Sequence, residues 1–327
     1  MIALSATLLL SLVFCGIYLR IARHWQILDL PNERSSHHRA TPHGGGLPLF
    51  LALGLGVFIA GVLGLAWAPQ YLLLLSIAGC LVLVGVVDDM RGLSVQLRFS
   101  LYGLCCALAV VITLPPLSEG DAVTLLMGVL AVVALLWMLN LYNFMDGIDG
   151  YASTQCLIAC CCAALLAFSG GAATDYLIFC LLLAAAHTGF LFWNWPAARL
   201  FMGDAGSVPT GFLLGALALL GDVQGYLPLA SWAILLAAFI VDASVTLMWR
   251  MATGQPFTRP HRLHAYQRLS RRLGGHLPVV FVLLALNALW LFPLSWMATI
   301  YPKYSILLVI LAYVPLVGGM AKVREFS

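Results

Sequence analysis

The sequence predicts an all-α polytopic membrane protein, and three observations carry that expectation. Of 327 residues, 62% are hydrophobic and 9% charged, against roughly 25% charged in an ordinary soluble domain. Apolar runs long enough for a bilayer core, which takes ~20 residues per helix, recur along the chain. The connections between them alternate between long polar segments and brief turns. The net charge of +3 says less than the placement of the charges.

The first run, 1–20, is apolar up to Arg20. A cleaved signal peptide carries positive charge ahead of its apolar region and a soluble chain behind it, so this reads as an uncleaved span. Further runs follow near 46–66, 70–87, 98–115, 122–140, 152–169, 174–192, 207–221, 228–249, 278–299 and 304–321, about eleven in all, with the eighth short. One set of connections comprises 21–45, 88–97, 141–151, 193–206, 250–277 and the C-terminal tail. The other comprises turns near 67–69, 116–121, 170–173, 222–227 and 300–303. Fifteen of the sixteen Lys and Arg residues lie in the first set or at its span ends, and only Lys303 lies opposite. The positive-inside rule puts the first set in the cytoplasm, with the N-terminus outside and the C-terminus inside. Residues 1–327 read as one integral-membrane domain. The nine cysteines all fall in apolar runs, with neither zinc spacing nor a disulfide framework, and read as helix-packing residues.

The polar chemistry falls in five clusters, all in the long connections. Residues 140–150 place Asn140, Asn143, Asp146 and Asp149 at intervals of three. The first three share a broad helix face, while Gly147 and Gly150 predict that the helix breaks and turns the acids inward; capping and solvation is the plainer reading. The first connection carries Arg34, His37, His38 and Arg39, then Gly44, Gly45 and Gly46 ahead of a helix. Its glycines predict backbone N–H groups that approach a phosphate, beyond what a basic loop needs. Asp88 and Asp89 sit at the C-terminal end of a span, where the helix dipole disfavours acids, and are hard oxygen ligands suited to Mg²⁺; the plainer reading is a helix-end charge pair with Arg91 and Arg98. The fourth cluster runs from Asn194 through Arg199 and Phe201 to Gly203, Asp204, Gly206 and Ser207. It predicts a turned acid at a helix start, Ser207 as a ready N-cap, and Phe201 as a ring face for a base. The last, most basic loop holds His261, Arg262, His264 and Arg268. Leu263, Tyr266, Leu269 and Leu273 fall on one side of a short helix, read as a phosphate-binding element or an interfacial anchor. Asp242, about two turns inside the ninth run, is either functional or a structural partner. His187 reads as a packed, hydrogen-bonded histidine.

In chain order the clusters resemble the polyprenyl-phosphate N-acetylhexosamine-1-phosphate transferase family of WecA and MraY type. The carriers are Asp29-x-Pro-Asn-x-Arg-Ser-x-His with Pro-x-Gly-Gly-Gly, Asp88-Asp89, Asn140-x-x-Asn-x-x-Asp-Gly-x-Asp-Gly and Phe201-Met-Gly-Asp-x-Gly-Ser. The resemblance covers nearly the whole chain. It implies Mg²⁺-dependent transfer, with Mn²⁺ as a substitute, of a sugar 1-phosphate from a UDP-N-acetylhexosamine to undecaprenyl phosphate, releasing UMP. Asp204 and Asp89 are implied as metal ligands, and Asp88, Asp89, Asn143, Asp204, His261 and His264 as the catalytic set. Asp88 is implied to deprotonate or position the lipid phosphate. Asp146, Asp149, Asn194, Phe201, Arg34, Arg39, Gly45, Arg262 and Arg268 are implied as substrate-binding. The form His261-Arg-Leu-His264-Ala-Tyr-Gln departs from the usual His-x-His-His and is similar to the WbpL-like branch. That branch implies initiation of O-antigen or related lipopolysaccharide synthesis, with GlcNAc or the 6-deoxy sugars FucNAc and QuiNAc. A peptidoglycan-type phospho-MurNAc-pentapeptide transferase is the alternative. The expected setting is the bacterial inner membrane among membrane lipids, with a homodimer allowed and no nucleic-acid partner.

Attack of one phosphate on another brings anions together, so cations must offset the repulsion. A lipid phosphate with a second pKa near 6 needs no strong base, which predicts direct in-line attack on the sugar-bearing β-phosphorus rather than an aspartyl intermediate. A polyprenyl-lipid transporter is the rival class. It requires midplane charges, repeat-related broken helices and features on both membrane faces, whereas these motifs lie on one face.

Overall fold

The computed structural model describes residues 1–29, 40–114, 122–255 and 261–325. Helices make up 81% of the described residues, as the apolar runs predict. In order they are α1 (Ile2–His24), α2 (Gly46–Val62), α3 (Pro69–Arg91), α4 (Val95–Thr113), α5 (Ala122–Phe144), α6 (Tyr151–Ser169), α7 (Thr174–Asn194) and α8 (Asp204–Val223). They continue as α9 (Leu229–Leu235), α10 (Ala237–Ala252), α11 (Ala265–Arg272), α12 (His276–Leu286), α13 (Phe292–Ile300) and α14 (Ser305–Glu325). A π-turn (Asn287–Leu291) joins α12 to α13. Two residue pairs, Leu28–Asp29 and Thr41–Pro42, form an antiparallel bridge.

All eleven expected runs are helical. Among the described residues, nine helices are long and apolar enough to cross a bilayer, and this is a multi-pass membrane protein. The ninth run is not one straight helix: α9 and α10 meet at 76°. The second run yields a 17-residue helix, short of the ~20 residues a straight span takes. Large apolar side chains face outward on the peripheral helices, such as Val111 on α4 and Ile306 on α14, which suits a lipid surroundings and no aqueous one.

The bundle is built around α8. Its apolar window is 83% buried, against 11% for α5, and it packs against both α3 and α5. The contact with α3 is made backbone to backbone. A Cβ on Gly85 would sit 2.5 Å from Ala205 Cα and 2.7 Å from the Asp204 carbonyl carbon, and one on Gly46 of α2 would overlap Ala205 and Gly206. Glycine alone allows this approach. The segment before α2 is stitched to the segment before α8 by Phe201 N–H donating to the Pro42 carbonyl (2.8 Å), Gly45 N–H to Phe201 (2.9 Å) and Gly46 N–H to Met202 (2.9 Å). This corrects the expectation for Gly45: its N–H closes the fold and is not presented to a phosphate.

Gly85→Ala should therefore push α3 off α8, at about 1–3 kcal/mol for an overpacked contact. Gly79→Ala on the same helix, where an added Cβ meets nothing within 4 Å, should leave the melting temperature unchanged or raised. Thermal melts of the two variants in one detergent check the difference.

Candidate active site

Three helix ends converge where these contacts are made. α3 ends with Asp88 and Asp89, α8 begins at Asp204, and α5 ends one residue past Asn143. Gly203, at φ +71°, turns the chain into α8. Ser207 is not the N-cap, because α8 starts three residues before it. Its hydroxyl lies 3.0 Å from both the Gly203 carbonyl and Asn143 Oδ1, linking the α8 turn to α5.

The adjacent aspartates have different environments. Asp88 Oδ1 accepts the Leu93 N–H and Oδ2 accepts Arg98 Nη1, both at 2.6 Å. Its side chain is 8% exposed. Each oxygen thus carries one donor, and Asp88 holds Arg98 in place. Arg98 Nη1 also lies 3.6 Å from Asp204 Oδ2, so one guanidinium bridges the acids of α3 and α8. Asp89 Oδ1 accepts the Asp204 N–H (3.3 Å). Its Oδ2 is buried, lies 3.9 Å from His43 Nδ1, and meets no hydrogen-bond donor among the described residues.

A divalent cation fits this donor set. Three carboxylates face one arginine and one histidine, and Asp89 Oδ2 is an orphaned buried acceptor, which is costly unless it is matched. Among the described residues no three His, Cys, Asp or Glu side chains converge on one point, so there is no all-protein cage. Mg²⁺ does not need one, since it is commonly held by one or two carboxylates plus water and substrate phosphate.

A second cluster begins one residue further along α5. Tyr266 on α11 donates its hydroxyl to the Phe144 carbonyl (2.9 Å), and its ring stacks on Tyr151 with centroids 5.0 Å apart. His264 stacks on Phe144 and on His261. Asp242 decides where this cluster sits. Its carboxylate accepts the Ala265 and Tyr266 N–H groups at 2.9 Å, the first donors of α11, and lies 3.3 Å from His264 Nδ1. The intramembrane acid is thus a helix cap and a histidine orienter. α11 is docked on the protein rather than lying loose at the interface. Burial, with the charges of His264 and Arg250, pushes His261 down to about 4, so it is neutral at pH 7 and acts as a hydrogen-bonding group. Arg268 Nε donates to the Leu263 carbonyl (3.2 Å), Arg271 Nη2 to the Arg262 carbonyl (3.3 Å), and Arg262 Nε meets no partner among the described residues.

The 145–150 loop joins the two clusters. Burial, reinforced by the charges of Asp204, Asp149 and Asp89, holds Asp146 well above the usual carboxylate range. Asp149 and Asn194, expected to touch nucleotide, are braces instead. Asp149 Oδ2 accepts the Ala198 N–H (3.0 Å) and lies 3.1 Å from His276 Nδ1. Asn194, 3% exposed, accepts the Gly150 N–H (2.9 Å) and donates to the Leu200 carbonyl (3.0 Å). Its Oδ1 and one of its N–H groups thus tie the 150 and 200 backbone segments together. Phe201, half-buried, stands beside the Gly44–Gly46 stitch. Arg34 and Arg39 lie outside the described residues.

Comparison with known proteins bears on the same region. Residues 71–222, which contain all three helix ends, match the model of glycosyl transferase family 4. That match spans 152 of the 327 residues. It is similar to a probable undecaprenyl-phosphate N-acetylglucosaminyl 1-phosphate transferase of Bacillus subtilis, 27% identical over 82% of this chain and 76% of that protein. A phospho-N-acetylmuramoyl-pentapeptide-transferase of Synechococcus sp. is 29% identical over 88% and 90%. An undecaprenyl-phosphate alpha-N-acetylglucosaminyl 1-phosphate transferase of Thermotoga maritima is 26% identical over 81% and 80%. The matched region includes Asp88, Asp89, Arg98, Asn143 and Asp204, while His261, His264 and α11 lie beyond it.

Sequence reading left Arg98 and His43 out of the site residues and gave Ser207 only a capping role. Arg98 entered as a helix-end charge partner for Asp88 and Asp89, and its pairing with Asp88 is what the structure shows; its position ten residues after Asp88, at the start of the next helix, is the signal for it.

His261 gives a pH test. Its folded pKa, about 4, lies below the ordinary ~6.5, so its contribution to stability is present above pH 6.5 and is lost as pH falls towards 4. Melting temperature should drop across that window, and His261→Gln should flatten the drop. Asp242→Asn should unseat α11, detectable as faster proteolysis at its arginines with the bundle still folded.

Proposed function

We propose that this chain transfers an N-acetylhexosamine 1-phosphate from a UDP-sugar to undecaprenyl phosphate, giving undecaprenyl-pyrophosphate-sugar and UMP. The observation that carries the reading is the meeting of Asp89, Asp204 and the Asp88-held Arg98 at three helix ends within the residues that match family 4. Such a site gathers cations and hard oxygens, which two approaching phosphates require. The names of the relatives support polyprenyl phosphate as acceptor. The His261-Arg-Leu-His264 form supports the WbpL-like branch, hence O-antigen initiation at the bacterial inner membrane, with the motif-bearing face in the cytoplasm.

Asp89 and Asp204 would hold Mg²⁺. When bound, it offsets the charge of the two phosphates and of the oxygen left on UMP. The protein's own groups do the rest. Arg98, fixed by Asp88, presents a guanidinium beside the acids. His264, oriented by Asp242, and neutral His261 form a hydrogen-bonding wall, with Arg262 as a cation for a phosphate or pyrophosphate. Asn143, bonded through Ser207, holds the α5 end against the α8 turn. An oxygen of the lipid phosphate attacks the β-phosphorus; the new P–O bond forms as the bond from β-phosphorus to the bridging oxygen breaks, and UMP takes that electron pair. In this scheme Asp88 holds Arg98 and serves as neither nucleophile nor base.

Purified protein with undecaprenyl phosphate, Mg²⁺ and a panel of UDP-GlcNAc, 6-deoxy UDP-HexNAc sugars and UDP-MurNAc-pentapeptide should release UMP and label lipid with an N-acetylhexosamine. Product with the pentapeptide donor alone would move the chain to the peptidoglycan reaction, and no UMP from any donor would sink the reading. Asp204→Asn should lose product by at least about 10²-fold, the scale of removing one transition-state contact, while remaining folded.

A further inference from the structure

The 76° bend between α9 and α10 has a cause outside the transfer chemistry. Sharp helix bends are made by proline, by glycine, or by a side chain or water that enters the hydrogen-bond ladder. Neither proline nor glycine lies between Leu229 and Ala252. In an unbroken helix the Leu235 carbonyl would accept the Phe239 N–H. Here that N–H donates to the Leu236 carbonyl at 3.0 Å, and the Ile240 N–H donates there as well. The Leu235 carbonyl is taken instead by Gln155 on α6, whose Nε2 donates to it at 2.8 Å. Gln155 is fully buried, and a backbone carbonyl freed inside a membrane needs such a donor.

A second amide fixes the first. Asn287, 1% exposed, heads the π-turn between α12 and α13. Its Nδ2 donates one proton to Gln155 Oε1 (3.1 Å) and the other to the Leu283 carbonyl (2.9 Å). Donors and acceptors match in this orientation alone, because turning either amide over sets oxygen against oxygen. Asn287 Oδ1 is left with no donor among the described residues. A partly satisfied amide pair makes a poorer core than apolar side chains, so stability does not account for the pair. The donor it delivers to Leu235 does.

The bend matters because of what α10 carries. α9 is tied to α13 by Ser295 Oγ, which donates to the Ser231 carbonyl (3.1 Å). With α9 held, the angle at Leu236 sets the direction of α10. Asp242 on that helix caps α11 and orients His264.

We propose that Gln155 is a positioning residue for the His264 wall: aligned by Asn287, it enters the helix ladder at Leu235, sets the α9–α10 bend and so aims Asp242 at the start of α11. The proposal rests on the reading of His264 as a phosphate-facing group, and the first arm of its test does not depend on that reading.

In that arm, limited trypsin digestion at Arg268, Arg271 and Arg272 reports the seating of α11. Gln155→Leu, which keeps the bulk and removes the donor, should raise the cleavage rate about tenfold, the factor equivalent to leaving one buried carbonyl unpaired. Asn287→Leu, which frees the Gln155 amide to rotate, should raise it by less. Ser11→Ala removes a comparable buried bond, to the Ala186 carbonyl between α1 and α7, and should leave the rate unchanged. Gln155→Leu combined with Asp242→Asn should be cleaved no faster than Asp242→Asn alone, since both act through one carboxylate. A wild-type cleavage rate in Gln155→Leu, whatever its melting temperature, would overturn the proposal, as would an equal rise in Ser11→Ala or a double variant cleaved faster than Asp242→Asn. In the second arm, Gln155→Leu should lose turnover in UMP release by a similar factor. Loosened α11 with unchanged turnover would support the bend's role and count against the phosphate reading of His264 alone.

Discussion

The site depends on one steric constraint: the first turn of α8 lies directly on the backbones of α2 and α3, with no side chain between them. Gly46 and Gly85 make the contact possible, and the stitches from residues 42–46 to 201–202 close it. Moving the two backbones apart by the width of a methyl group would separate Asp204 from Asp89, whose Oδ1 accepts the Asp204 N–H. In water such a contact would add little. In a bilayer it is a natural way to fix helices, because lipid offers no hydrophobic drive between them and close backbone packing takes over.

The acids gathered there repel one another, and their surroundings show how the repulsion is divided. Asp88 and Asp204 share Arg98. Asp89 faces His43 and keeps one oxygen without a donor among the described residues. Asp88 is therefore a support and Asp89 an available ligand, although the two are neighbours in sequence and look equivalent there. The same division recurs one residue beyond Asn143, where Asp242 holds α11 and aims His264 while itself remaining buried. Carboxylates at this site either hold a cationic or imidazole partner or stand open to one.

How much of this was legible in the sequence follows from the range of each interaction. Spans are set by local hydropathy, and all eleven runs are helical; the acids were found because charges at span ends are rare. The α9–α10 break at 76° was not visible, since the run reads as continuously apolar and carries neither proline nor glycine at the bend. Asn194 and Asp149 were expected on the nucleotide because polar groups in a motif look available. Their partners, Gly150, Leu200, Ala198 and His276, are distant or on backbone, which no spacing rule reveals. Gly85, buried in an ordinary apolar helix, gave no sign that it faces the start of α8 more than a hundred residues away.

Direct transfer and an aspartyl intermediate on Asp88 or Asp89 differ in one observable. With UDP-sugar labelled at the β-phosphorus and no lipid acceptor present, an aspartyl intermediate would leave label on the protein and release UMP in amounts matching the enzyme. Here both Asp88 oxygens are held at 2.6 Å by Leu93 and Arg98, and the proposed transfer goes straight to the lipid phosphate. The account predicts no protein-bound label and no UMP until undecaprenyl phosphate is added. Label retained on the protein through denaturation, and lost in Asp88→Asn, would contradict it.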